Sequence, residues 1–140
     1  MADVKLHHIG ILVKDIAAAA CAYAKRFRYE VRSPVIHDPV QTAYVQFLAL
    51  PGDSSFVEFV SPDGPDSKLS NALRKGGGLN HICYSTETID STCEELGAEG
   101  MHLIQAPVPA VAFPGRRIAW LMGRDGVLTE LVERGGDVAP

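Results

Sequence analysis

The sequence predicts an α+β fold of two βαβββ modules, and three observations lead there. The first is a repeat. "KLHHIGILVKDI" (residues 5–16) returns as "GLNHICYSTETI" (residues 78–89), with Leu79 on Leu6, His81 on His8, Ile82 on Ile9 and Ile89 on Ile16. The second is that the far end of each copy returns too. "FVEFV" (56–60) is matched by "LTELV" (128–132), which puts Glu58 on Glu130. The third is a stretch rich in Pro, Asp and Gly between the copies, "SPDGPDSKLSNALRKGG" at 61–77, which reads as a linker. Modules at about 4–60 and 78–133 thus make one domain across residues 1–140.

Each element has a local reason. Residues 4–13 read as a strand, with Ile9, Ile11 and Val13 alternating on one side. Asp15 is an N-cap for the alanine-rich helix "IAAAACAYAKRF", in which Ile16, Tyr23 and Phe27 are apolar. Strands follow at about 30–36, 42–50 and 55–60, with Pro51-Gly52-Asp53 turning between the last two. The linker holds one short helix carrying Leu69 and Leu73. In the second copy a strand covers about 79–85. A helix near 88–97 places Ile89, Cys93 and Leu96 at i, i+4 and i+7. Strands near 101–105, 116–122 and 127–133 complete it, with Arg124-Asp125-Gly126 turning between the last pair. A single module's sheet cannot bury its own face, so the two should pack around a shared cavity.

Composition narrows the function. With 46% hydrophobic and 21% charged residues, the chain is that of an ordinary globular protein. A net charge of -4 without a basic stripe argues against nucleic acid. No apolar run is long enough to span a membrane, and no signal pattern opens the chain. Cys21, Cys83 and Cys93 form neither a disulfide framework nor a CxxC pair, which fits a reduced, cytoplasmic protein.

The carboxylates point to the chemistry. Glu58 shares a strand face with Phe56 and Val60, and its other neighbours, Val57 and Phe59, are also apolar. Glu130 sits likewise with Leu128 and Val132. A buried carboxylate costs several kcal/mol unless something pairs it. No lysine or arginine recurs at matching positions to do so. A divalent cation serves both copies at once. His8, Glu58, His81 and Glu130 would then converge as two neutral imidazoles and two carboxylates, a set suited to Zn, Co, Ni, Mn or Fe. Four such ligands on a six-coordinate ion leave two positions open for substrate.

These motifs resemble the vicinal oxygen chelate (glyoxalase/bleomycin resistance) superfamily from about residue 4 to 133. The resemblance implies paired βαβββ modules in a half-open barrel around a central metal site, with ligands at His8, Glu58, His81 and Glu130. The second glutamate departs from the extradiol dioxygenases, which use two histidines and one carboxylate. It departs equally from the bleomycin-resistance type, which binds without metal. "LHHIGILVKDI", "EFVSPDGPDSKLSNALRKGGGLNHI" and "GRRIAWLMGRDGVLTELVE" are most similar to the methylmalonyl-CoA epimerase-like branch. Glyoxalase I-type lactoylglutathione lyase is the alternative, since bacterial members also use His-Glu-His-Glu, but the compact linker favours the epimerase. A non-enzymatic small-ligand binding protein of the same fold comes third. The resemblance also implies a homodimer and a CoA or glutathione thioester as substrate.

For an epimerase, the expected reaction is proton abstraction next to the carbonyl of a small acyl-thioester, eased because the cation stabilises the enolate oxygen. Glu130 is the expected base. Some epimerases place a second catalytic glutamate on the third strand. Gln46 aligns there, and a glutamine cannot take a proton from carbon. Cys83 and Trp120 are expected at the cavity, with no histidine placed to activate the thiol. Arg116 and Arg117 follow the apolar loop "APVPAVAFPG" and are expected on a ligand's phosphate or carboxylate. The loop itself is expected to cover the pocket. His7 is expected on the face opposite His8, and His37 and His102 at the surface.

Overall fold

The computed structural model describes residues 3–135 and residue 140. Among the described residues the chain order is β1 (Val4–Leu12), α1 (Ile16–Phe27), β2 (Glu30–Val31), β3 (Ile36–Asp38), β4 (Ala43–Ala49) and β5 (Phe56–Pro62). Then come α2 (Ser70–Arg74), β6 (Gly78–Thr86), α3 (Ile89–Ala98), β7 (His102–Pro109), β8 (Arg117–Met122) and β9 (Leu128–Glu133). The fold is therefore α+β, and the second copy reads β-α-β-β-β as expected. The first copy differs at one place. Its anticipated strand at 30–36 is two short pieces, β2 and β3, both paired with β4. Pro34 lies between them. It has no N–H to give a ladder, and it restricts Ser33 before it.

The described chain divides into two compact units, residues 9–80 and residues 3–8 with 81–135. In the first, the strands run β2-β4-β5 and then the trailing half of β1. The β4–β5 pair is antiparallel, with Phe47 opposite Glu58 and Gln46 opposite Phe59. Helix α1 begins as the sequence suggests, with the Asp15 carboxylate accepting from the Ala18 N–H at 3.1 Å. Its Ile16 joins Leu48, Val57 and Phe59 in a buried cluster, with Ala20 and Tyr23 packed against it. At the unit's far end Gly77 has φ +63°, and a Cβ there would stand 2.7 Å from the Leu12 carbonyl oxygen. Glycine is thus required where the chain passes Leu12 to enter β6.

In the second unit the leading half of β1 is followed by β6-β9-β8-β7. The β6–β9 pair is parallel with Cys83 beside Glu130, and the β8–β9 pair is antiparallel with Trp120 opposite Glu130. Strand β7 is longer than anticipated and runs on through Pro107. It sits at the end of the strand order and its register with β8 shifts twice. An edge strand with bulges tolerates proline. Ile89, Cys93, Ala119, Leu121 and Leu131 form the buried cluster, with Leu96 against it. Ile89, Cys93, Leu96 and Leu131 are the repeat equivalents of Ile16, Ala20, Tyr23 and Phe59, so the duplication extends into the cores. No helix among the described residues is long and apolar enough to cross a membrane.

Candidate metal centre

Three of the four predicted ligands meet inside the second unit. His8 comes from β1, His81 from β6 and Glu130 from β9, and they are 0%, 4% and 4% exposed. The His8 and His81 Nε2 atoms are 3.0 Å apart. Glu130 Oε1 lies 3.1 Å from His8 Nε2 and 3.4 Å from His81 Nε2. Two imidazole nitrogens and a carboxylate oxygen at this spacing are held together either by shared protons or by a cation among them. Donors bound to one ion at about 2.1 Å are about 3.0 Å apart at right angles and about 3.4 Å apart at the tetrahedral angle. The observed spacings match the edges of such a polyhedron, so these three residues fit a divalent cation. Burial pushes the Glu130 carboxyl up. Hydrogen bonds from His8 and His81, together with their charge, outweigh that and hold it below the usual carboxylate range.

Residues 7–120 match the glyoxalase/bleomycin resistance protein/dioxygenase superfamily. The chain belongs to this superfamily. It is similar to ethylmalonyl-CoA/methylmalonyl-CoA epimerase of Cereibacter sphaeroides, 31% identical over 131 residues that cover 91% of this chain and 96% of that one. The fold is similar to the crystal structure of methylmalonyl-CoA epimerase from Mycobacterium tuberculosis, with a TM-score of 0.81 and 26% identity over 93% of this chain and 87% of that one. It is also similar to a methylmalonyl-CoA epimerase in complex with methylmalonyl-CoA and NH4+, with a TM-score of 0.80 and 27% identity over 98% and 99%.

The fourth predicted ligand, Glu58, belongs to the other unit. It is 5% exposed on β5, with Phe47 across from it. The β4 residues on its side are Ala43, Val45 and Phe47, all apolar. Gln46 is on the other side, where it faces Phe59 in the register and its side-chain amide donates to the Ser33 carbonyl at 3.0 Å. Gln46 thus offers no acid and does not share a face with Glu58.

Around these three residues, several expectations are revised. His7 does not turn away from His8, because its Nδ1 lies 2.7 Å from His8 Nδ1. Strand alternation fixes where Cβ atoms point, not where a ring nitrogen ends. Cys83 is fully buried, and its sulfur lies within 4.8 Å of nitrogens of both His7 and His8, so histidines do stand beside it. The apolar loop lays Phe113 against the pair: its ring meets His7 edge-on at 5.3 Å and lies near-parallel to His8 at 6.2 Å. Arg116 is half-buried with its guanidinium 4.9 Å from the Phe113 ring centre. Arg117 pairs instead with Asp90 of α3 at 2.8 Å and with Glu133 of β9 at 3.2 Å. Those carboxylates already occupy the groups it was expected to offer a ligand. His37 and His102 are exposed, as expected.

Trp120 carries a signal that its residue type alone does not give. Its ring stands edge-on to His81 at 5.0 Å. Its indole Nε1 is buried and makes no hydrogen bond among the described residues. A buried N–H without a partner costs about 1–3 kcal/mol, and such a group calls for an acceptor. The register, which puts Trp120 across from Glu130, ties this donor to the ligand site.

Proposed function

We propose that this chain is a divalent-metal-dependent epimerase of a small acyl-CoA, of the methylmalonyl-CoA type, in which His8, Glu58, His81 and Glu130 together hold the cation. The observation that carries the reading is the 3.0–3.4 Å triangle of two imidazole nitrogens and a carboxylate oxygen in a chain similar to methylmalonyl-CoA epimerases. The repeat supports Glu58 as the fourth ligand, since it is the buried equivalent of Glu130 in the other copy. When bound, the cation supplies Lewis-acid stabilisation of negative charge on the thioester carbonyl oxygen.

The chain's own residues do the rest. Glu130 takes the proton from the α-carbon with the carboxylate oxygen not committed to the histidines. Trp120 donates its indole N–H to an oxygen of the acyl group and so fixes which carbon faces Glu130. Phe113, packed against His7 and His8, shields those two rings from water. Arg116, bordering the Phe113 ring, offers positive charge to the substrate's carboxylate or phosphate. On the Glu58 side β4 presents only apolar residues, so the proton that inverts the centre is returned by solvent rather than by a second carboxylate.

Incubation with methylmalonyl-CoA in D2O tests this. The metal-loaded protein should place deuterium at the α-carbon of both epimers, and protein stripped by a chelator should place none. Absence of exchange by the loaded protein, or full exchange by the stripped one, refutes the reading.

A further inference from the structure

The neighbour of the first ligand is a second histidine, and with a cation on His8 Nε2 the contact between the pair sets where the protons lie. His8 Nε2 faces His81 and Glu130, so it would present its lone pair to a cation bound there. A neutral imidazole that ligates through Nε2 carries its proton on Nδ1. That Nδ1 is 2.7 Å from His7 Nδ1. Two nitrogens at that distance share one proton, so His7 Nδ1 is the acceptor and the proton of His7 is on Nε2.

We infer that His7 is a positioning residue for the metal centre: it accepts the Nδ1–H of His8, locks that ring's tautomer and aims its Nε2. The inference rests on the epimerase reading only for the presence of the cation, not for the reaction. Ligating histidines usually donate to a carboxylate, carbonyl or water. A neutral imidazole pulls less on the proton than a carboxylate does, so it leaves His8 a neutral ligand. Phe113 completes the arrangement, bracing His7 edge-on and His8 near-parallel. The second copy carries Asn80 at the position of His7. An asparagine at 7 would put a carbonyl oxygen close to where the acceptor nitrogen stands.

A rival for the same atoms is a second, softer cation held by His7, His8 and Cys83, whose donor atoms lie within 4.8 Å of one another. It requires His8 to give up its Nδ1 proton and bridge two ions.

The experiment measures Co(II) affinity of the full chain by chelator competition, with absorption spectra, for wild type, His7→Phe, His7→Asn and Cys83→Ser. Circular dichroism of each metal-free variant checks that it folds. His7→Phe should bind Co(II) about 10- to 100-fold more weakly, His7→Asn should recover most of the loss, and Cys83→Ser should leave both affinity and spectrum unchanged. Wild-type affinity in folded His7→Phe, or no recovery in His7→Asn, overturns the positioning role while leaving the metal centre intact. A thiolate-to-cobalt band in wild type that Cys83→Ser abolishes overturns it in favour of the second cation. A wild-type chain that binds no Co(II) overturns both this inference and the metal reading beneath it.

Discussion

Each copy of the repeat sets a buried carboxylate across from an aromatic ring. In the first copy Phe47 faces Glu58, and in the second Trp120 faces Glu130. The two rings are repeat equivalents, and the second adds an indole N–H that makes no hydrogen bond among the described residues. The lesson concerns division of labour. What the copies share, a histidine and a glutamate on strands over equivalent cores, suits a symmetric task such as holding a cation. What they do not share includes the neighbours of the second glutamate on the adjoining strands: Trp120 across from it and Cys83 beside it.

The strongest way to break the comparison is to treat the two glutamates alike. Glu58→Gln and Glu130→Gln each keep an oxygen that can ligate. If Glu130 alone is the base, its variant should lose about 10²- to 10⁴-fold in α-proton exchange at saturating metal. Glu58→Gln should need more metal but keep most of the exchange. Equal losses at saturating metal would show that the copies are not divided as ligand and base. Deuterium incorporation followed by mass spectrometry reads both.

The cores should behave alike where the sites do not. Phe59 and Leu131 are repeat equivalents and both fully buried. Phe59→Ala and Leu131→Ala should each cost about 3–4 kcal/mol in urea unfolding, the usual range for emptying such a position. A variant that loses less than about 1 kcal/mol would mean that its cluster collapses into the space, and that the equivalence stops short of packing.

Trp120→Phe converts the second copy's ring into the first copy's. Removing a buried donor that has no partner should leave metal-free thermal stability unchanged or higher. It should cost on the order of tenfold in kcat/KM if the N–H meets the acyl group, the scale of one buried hydrogen bond. Lower stability with unchanged kcat/KM would make Trp120 a packing residue and remove the asymmetry it represents.

The duplication explains why so much of the fold and of the candidate site is legible in the sequence. A histidine or glutamate met once in a strand carries little weight, but a histidine and a glutamate each placed twice do, and the repeat also locates the helices. It does not expose features that depend on register or on ring orientation. The side of β4 on which Gln46 falls follows from pairing Phe47 with Glu58, and no residue near Gln46 announces that pairing. The approach of His7 to His8 depends on side-chain torsions that strand alternation does not specify. Arg117 looks free for a ligand in the sequence because Asp90 is 27 residues away in the chain, and α3 brings it within 2.8 Å. The split of the second strand has its sign in Pro34, which the apolar residues on either side of it mask.

The smallest expected effect comes from a feature that only the second copy has. Arg117 holds Asp90 and Glu133, and these bonds keep both carboxyls below their usual range. The first copy has Tyr44 at the equivalent place. Groups whose carboxyl value is lowered in the folded state stabilise it above the ordinary carboxylate range and lose that contribution as pH falls through the folded value. Arg117→Ala should therefore lower the thermal midpoint slightly near pH 7, and the difference should shrink toward zero on acidification. Asp90 is exposed and the other two side chains are partly so, so salt should weaken the same difference at neutral pH. A difference that persists in acid or in molar salt would mean that Arg117 acts through packing of its stem against α3, and the charge cluster would no longer distinguish the copies.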